Sequence, residues 1–404
     1  MGTDGEEVGS SARVSRIKKK ALSTRQALIP RLEALRGSRV ICYVTGDRQH
    51  AAAQIGDDAV RPLYEHLRAF GHVKKLDLLI YSRGGGTDIP WRMASAIRRV
   101  CDEWHVLVPF RANSAATLLA LGEDTIVLGK QAELGPIDPS LTFQRVDNRP
   151  GQPSTTVQDT VSVEDVMSYI KFVQERAGLS DQSARAQALA MLAARVDAMT
   201  LGSIYRTHSH IRDVARRMLQ SRAQPASDAV IGTIVETLAE RVYAHGHAIG
   251  LNDAKEMGLP AEAAPDKVDA AMWRLLNQYE HDLKLMDPVD PIGVLGTGDE
   301  YTEQVVLAAI DSTWGSHEFG GILEVKGKRQ MPSTLNVSVN LNLSVQMPAG
   351  LPADQQAAIQ QFVQQLQAPV VEAAQEAAQQ AVKQQAPLLN VETGVRRAKW
   401  EKVA

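Results

Sequence analysis

The sequence predicts an α/β domain built on a mostly parallel sheet. Two observations carry this. Apolar runs of strand length alternate with amphipathic helical segments over the stretch that starts near residue 37. Those runs are nearly continuous in apolar residues, as strands are when helices cover both sheet faces. Composition agrees: the chain has 404 residues, 44% apolar and 23% charged, enough for a large core with attachments.

The elements follow in order. Residues 1–20 are rich in Gly, Ser and charge and predict a disordered tail, in which "RIKKK" is a solvated cluster. A short helix is expected over Thr24–Leu35, with an interruption at Pro30. "RVICYVT" (39–45) is a strand, "DDAVRPLYEHLRAF" (57–70) an amphipathic helix, and "LDLLIYS" (76–82) a buried strand. Asp88 can N-cap a helix with Pro90 in its first turn, running to about Val100. "VLVPF" (106–110), "AATLLALG" (115–122) and "TIVLG" (125–129) read as strand, helix and strand. From about 160 to 286 the pattern is mainly helical, and the Pro/Gly/Asp-rich residues 287–299 read as a linker. "TLNVSVNLNLSVQM" (334–347) alternates strictly and predicts a long strand, with "GGILEVKGK" (320–328) as its pairing partner. Residues 353–385 are rich in Gln and Ala and predict a weakly apolar helix broken at Pro369. The expected division is therefore 1–36 tail and helix, 37–265 core, 266–300 helix and linker, 301–350 β-rich extension, and 351–404 helical tail.

The bulk properties narrow the function class. A net charge of −3 gives no reason to invoke nucleic acid. No stretch approaches the roughly 18 apolar residues of a membrane span, and the polar N-terminus has no signal-peptide apolar region. The two cysteines, Cys42 and Cys101, cannot form a disulfide framework and suit a reducing compartment, so a cytoplasmic setting is expected.

One feature stands out in "SRGGGTDIP" (82–90), where Gly84, Gly85 and Gly86 lie between a buried strand and a capped helix. Such a cluster can cradle phosphate, present N–H groups to an oxyanion, or make a tight turn. The dinucleotide motif lacks its third glycine and the P-loop its Lys-Ser/Thr. In "VPFRANSAATLLALGED", Ser114 falls after the next strand and at the start of a helix. A lone serine there reads as an N-cap. Two adjacent strand-to-helix turns of a parallel sheet, however, put their tips side by side at the ligand-binding edge. The hydroxyl of Ser114 and the N–H of Ala115 would then meet the N–H groups of Gly84–Gly86, a nucleophile beside oxyanion donors.

"LDLLIYSRGGG", "VPFRANSAATLLALGEDTIVLG" and "AELGPIDPSL", in that order, resemble the Clp-fold serine proteinases of the serine dehydrogenase proteinase (SDH) type. These are relatives of signal peptide peptidase A, the Clp protease subunit and the crotonase superfamily. The resemblance runs over about 37–260 and includes "YAHGHAIGLNDAKEMGLP". It implies a Clp/crotonase-like core of repeated β-α units with helical attachments and a C-terminal β-plus-helix extension. It implies a serine peptidase acting on a peptide or protein substrate, with Ser114 as nucleophile and Gly85 and Ala115 as oxyanion donors. Gly84 and Gly86 would border the substrate. It also implies a homo-oligomer, and the C-terminal extension could bind a partner chain. No cofactor or metal is expected.

The base is less legible. The Clp protease subunit has a histidine after the serine helix, where this chain has Ile137, Asp138 and Pro139. The signal-peptide-peptidase branch has a lysine some fifty residues beyond the serine, and Lys171 stands there between Ile170 and Phe172, which suggests partial burial. His208 and His210 lie two apart on a predicted helix, and His245 and His247 flank Gly246; neither pair has metal-ligand spacing, but each histidine is an alternative base. The rival readings are a catalytically silent Clp-fold scaffold, suggested by the unassigned base, and a crotonase-like acyl-CoA enzyme using the same paired N–H groups.

Overall fold

The computed structural model describes residues 24–137, 140–147, 155–177, 181–241, 247–330, 345–346 and 352–403. The strand expected at 334–347 therefore lies almost wholly outside the described residues, as do Asp138 and His245. Helix α1 (24–36) runs through Pro30 without the expected break. The core elements follow as β1 (Arg39–Thr45), β2 (Asp47–Arg48), β3 (Ala51–Ala52), α2 (Val60–Phe70), β4 (Val73–Tyr81), α3 (Ile89–Arg98), β5 (Cys101–Val108), β6 (Arg111–Ala112), α4 (Ala115–Ala120), β7 (Thr125–Leu128) and β8 (Glu133–Leu134). A two-stranded ribbon, β9 (Ser140–Asp147) and β10 (Thr155–Ser162), leads to α5 (Val163–Lys171), α6 (Gln182–Arg195), α7 (Ala198–Gln220) and α8 (Asp228–Glu236). After these come α9 (Leu251–Glu256), β11 (Ala261–Ala263) and α10 (Asp266–Asp282). The chain ends in α11 (Pro291–Leu295), β12 (Glu300–Ser312), β13 (Gly315–Arg329), α12 (Ala353–Gln385) and β14 (Leu388–Lys402).

The main sheet has the order β11-β7-β5-β4-β1-β12-β13-β14. Strands β11, β7, β5, β4 and β1 pair in parallel, and β12 pairs with β1 antiparallel. The continuous apolar runs are explained by a period of two with both faces buried. On one face Ile41, Tyr43, Leu78, Ile80, Trp104 and Val106 pack against residues of α2, α3, α4, α7 and α8. On the other, Val40, Cys42, Val44, Leu79, Leu107 and Val127 pack against residues of α1 and α10. Truncating a side chain such as Leu78, which is fully buried, costs about 2–5 kcal/mol through lost transfer energy and the cavity left behind. Both cysteines are buried and free, as core residues should be.

Two expectations need correction. Residues 320–328 belong to β13, whose neighbours in the sheet are β12 and β14. The tail is helical only through α12; residues 388–402 form a strand. The chain divides into two compact units, Met1–Pro288 with Val305–Gly321 and Ala398–Ala404, and Val289–Gln304 with Ile322–Arg397. The β-rich extension is thus not separate from the core, because half of β12 completes the sheet beside β1. In the second unit Arg329 bonds Asp299 and the carbonyls of Gly298 and Ala386. Among the described residues no single helix is long and apolar enough to cross a membrane.

Candidate active site

Above the carboxyl ends of β4 and β5 the chain adds a small second layer of strand-like contacts. Ser82 bridges Ala112 in parallel, β6 pairs with β8, and Ile55 bridges Gly85. The Ser82 N–H donates to the Arg111 carbonyl and the Asn113 N–H to the Ser82 carbonyl. These bonds hold the glycine loop against the turn that carries Ser114. The buried Thr45 hydroxyl donates to Ser82 Oγ at 2.8 Å, and Ser82 Oγ accepts the Gly84 N–H at 3.0 Å. On the far side, Thr117 Oγ1 ties α4 to the carbonyls of Ala112 and Gly135.

The close approach explains the glycines. A Cβ on Gly84 would lie 2.8 Å from Ser114 Cβ, and one on Gly85 would lie 2.3 Å from the Ile55 carbonyl oxygen. Gly84 and Gly85 also sit at φ 115° and 156°, where side chains are strained. The three N–H groups are not equivalent. That of Gly84 goes to Ser82 Oγ and that of Gly86 to the Ile55 carbonyl. Among the described hydrogen bonds, the N–H groups of Gly85 and Ala115 have no acceptor.

Ser114 occupies the N-cap position of α4 but does not cap it. Its backbone is at φ 53° and ψ −114°, and its side chain makes no capping bond. A serine chosen only for capping would have extended backbone and would accept an N–H of the first turn. A positive φ at a non-glycine residue stores strain of about 1–3 kcal/mol, of a kind that clusters at functional sites. Ser114 Oγ has no hydrogen-bond partner among the described residues.

Three of the candidate bases, Lys171, His208 and His210, lie on the helical attachments, and His247 lies in the segment before α9. Lys171, the last residue of α5, is exposed, and its neighbour Phe172 is 56% exposed. The partial burial expected from the flanking apolar residues is not found: Ile170 packs half-buried against the cluster of Val163, Val166, Val196 and Ile204, while Lys171 and Phe172 face outward. His208 lies 3.9 Å from Glu164. His247 is exposed. His210 bonds Asp88, at the start of α3 and three residues past Gly85. The rim below the glycine loop is charged: Arg83 bonds Asp47, Tyr81 donates its hydroxyl to Asp47, and Arg111 bonds Glu133. The hydrogen bond that Arg83 donates to Asp47 raises its pKa. Among the described residues no group of three or more His, Cys, Asp or Glu side chains is placed to hold a metal ion.

Sequence reading did not find Ile55, Thr45 or Thr117, and read Ser82 only as the first residue of the glycine loop. Each acts through backbone pairing or a buried hydroxyl and has no motif of its own. Asp88 was read only as a cap.

Comparison with known proteins points the same way as the resemblance. Residues 13–150 match the ClpP-like SDH-type serine proteinase family. The match contains the glycine loop, Ser114 and Ala115, and stops short of Lys171 and the histidines on α7. Two uncharacterised proteins of Methanocaldococcus jannaschii are similar to parts of the chain. One is 39% identical over 75 residues, 19% of this chain and 26% of the relative. The other is 31% identical over 125 residues, 28% of this chain and 41% of the relative. The matched region thus spans well under half the length of each.

Proposed function

We propose that this chain, whose residues 13–150 match the ClpP-like SDH-type serine proteinases, is a serine peptidase that acylates Ser114. One observation carries the reading. A strained serine at a helix start, with a hydroxyl that caps nothing, sits beside two N–H groups that have no acceptor among the described residues, those of Gly85 and Ala115.

The chemistry follows from that placement. A base takes the Ser114 Oγ proton as Oγ bonds to the scissile carbonyl carbon. The carbonyl π pair moves onto oxygen, where the Gly85 and Ala115 N–H groups donate to it. Collapse breaks the C–N bond, and the base returns the proton to the departing amine. The acyl-enzyme ester is then cleaved by water: the base takes the water proton, the C–Oγ bond breaks, and Oγ recovers a proton. Gly84 and Gly86 spend their N–H groups inside the loop, so their part is to let a substrate backbone approach. Lys171 as base would need desolvation that the exposed helix end does not supply.

Association between copies belongs to the same reading. Phe362, Leu366 and Val370 on α12 are 61%, 41% and 40% exposed, an apolar stripe suited to a partner helix.

Peptide hydrolysis by the wild type and by Ser114→Ala tests the peptidase reading. Hydrolysis that survives in Ser114→Ala, with matched purity and folding, would overturn it.

A further inference from the structure

The C-terminal half of α7 is fixed against α3 and α4. At its C-terminal end Met218 Cε lies 2.8 Å from a Cβ built on Gly122, just past α4. Arg222 Nε donates to the Leu121 carbonyl at 3.0 Å, and the Ala223 N–H donates to Asp124, which also holds Arg98 at the end of α3. Midway along α7 His210 bonds Asp88, the residue before α3. Helix α7 therefore runs in the same direction as α3 and α4. His210 precedes Met218 by eight residues, about 12 Å along α7, and Ser114 precedes Gly122 by eight, across the six residues of α4 and the turn that follows it. This brings His210 level with Ser114 on a neighbouring helix, at the usual spacing of roughly 8–10 Å between axes.

Asp88 adds a second sign. It stands at the N-cap of α3, yet its carboxylate makes no capping bond and goes to His210 instead. A carboxylate only accepts, so Nε2 is the protonated nitrogen of the neutral His210 ring, and in that form Nδ1 keeps its lone pair. Several other charges on the elements around α7 pair with each other: Glu164 of α5 with Arg212 and His208, Arg92 of α3 with Asp57, and Arg217 with Asp213. Helix α4 presents only apolar residues and Thr117.

We infer that His210, oriented by Asp88, is the general base for Ser114. The inference rests on the serine-peptidase reading above. His210 Nδ1 takes the Ser114 Oγ proton during attack and delivers it to the amine nitrogen as the C–N bond breaks. Asp88 keeps Nε2–H in place and stabilises the imidazolium. Both side chains are well exposed, 49% and 71%, so rotamer changes in them carry the imidazole to the serine without backbone movement. Apo geometry of this kind commonly tightens only when substrate is bound.

The test is the rate of Ser114 labelling by a fluorophosphonate across pH, in wild type, His210→Gln, His210→Gly, Asp88→Asn and Lys171→Met. Loss of the base should slow labelling by about 10²–10⁴-fold in His210→Gln, and remove the acid limb of its pH profile. Added imidazole should restore labelling in His210→Gly, which a merely structural role would not allow. Asp88→Asn should slow labelling and shift the acid limb. If His210→Gln labels like wild type while Lys171→Met does not, the base is Lys171 and the inference is wrong while the serine reading stands. If wild type does not label, or Ser114→Ala labels equally, the serine reading fails and the inference with it.

Discussion

Replacing Gly85 with alanine perturbs the glycine loop, to which the proposed mechanism gives an oxyanion donor, where the structure leaves no room. The new Cβ would lie 2.3, 2.5 and 2.9 Å from the oxygen, nitrogen and carbon of Ile55. All three are backbone atoms in a bridge that also bonds Gly84 and Gly86, so no flexible side chain can yield. Restoring ordinary contact moves the loop by about 1 Å, enough to turn a good N–H···O bond into none. Loss of one oxyanion donor slows acylation by roughly 10²–10³-fold, and overpacking costs about 1–3 kcal/mol of stability. Fluorophosphonate labelling rates and urea unfolding midpoints read the two effects separately. A Gly85→Ala protein that labels and unfolds like wild type would refute the assignment of Gly85 to this constriction.

Three further predictions concern buried charge. Glu123 is fully buried with no hydrogen bond to either carboxylate oxygen, and burial pushes its pKa up to about 7, against the pull of Arg222. A folded-state pKa above the unfolded value of about 4.5 means that stability present below pH 4.5 is lost as pH rises through 7. Glu123→Gln should therefore gain roughly 3 kcal/mol on wild type between pH 4.5 and 8, and a pH-independent difference in urea unfolding would contradict this. His66 is buried in a relay in which Ser312, His66, His317 and Glu65 bond in sequence at 2.7, 3.0 and 3.1 Å. Burial, then His317 and Lys402, lower its pKa to about 3. Its contribution is present above pH 6.5 and fades as pH falls toward 3, so the advantage of wild type over His66→Gln should shrink by about 2 kcal/mol from pH 7.5 to 5. An advantage that does not change would show that His66 is not held neutral. Arg25 is buried between Asp282, Asp311 and Glu318; Arg25→Met leaves those carboxylates without their cation and should cost about 3–5 kcal/mol by chemical denaturation. A loss close to zero would mean the acids find other partners.

The parallel sheet was legible in the sequence because its strands are buried on both faces and its helices on one. "RVICYVT" and "LDLLIYS" show the first pattern and residues 57–70 the second. The C-terminal strands were harder to place. In β13, "GSHEFGGILEVKGKR" mixes glycines and charges, and its partners β12 and β14 are set by long-range pairing that local periodicity does not encode. In β14, "LLNVETGVRRAKWEK" alternates weakly and is mostly exposed, so it reads as an extension of the Gln/Ala-rich tail. At the candidate site, the meeting of Ser114 with the glycine loop was legible because two neighbouring strand-to-helix turns of a parallel sheet bring their tips together at its carboxyl edge. His210 was visible only as one histidine among several, because its link to Asp88 spans 122 positions and depends on how α7 lies across α3.

Tandem mass spectrometry of the protein after reaction with a fluorophosphonate tests the central claim most directly. The phosphonyl adduct is predicted on Ser114, within "VPFRANSAATLLALGED", with no adduct in Ser114→Ala. An adduct on another residue, or an unmodified Ser114 in folded wild-type protein, would contradict a nucleophilic serine at the start of α4.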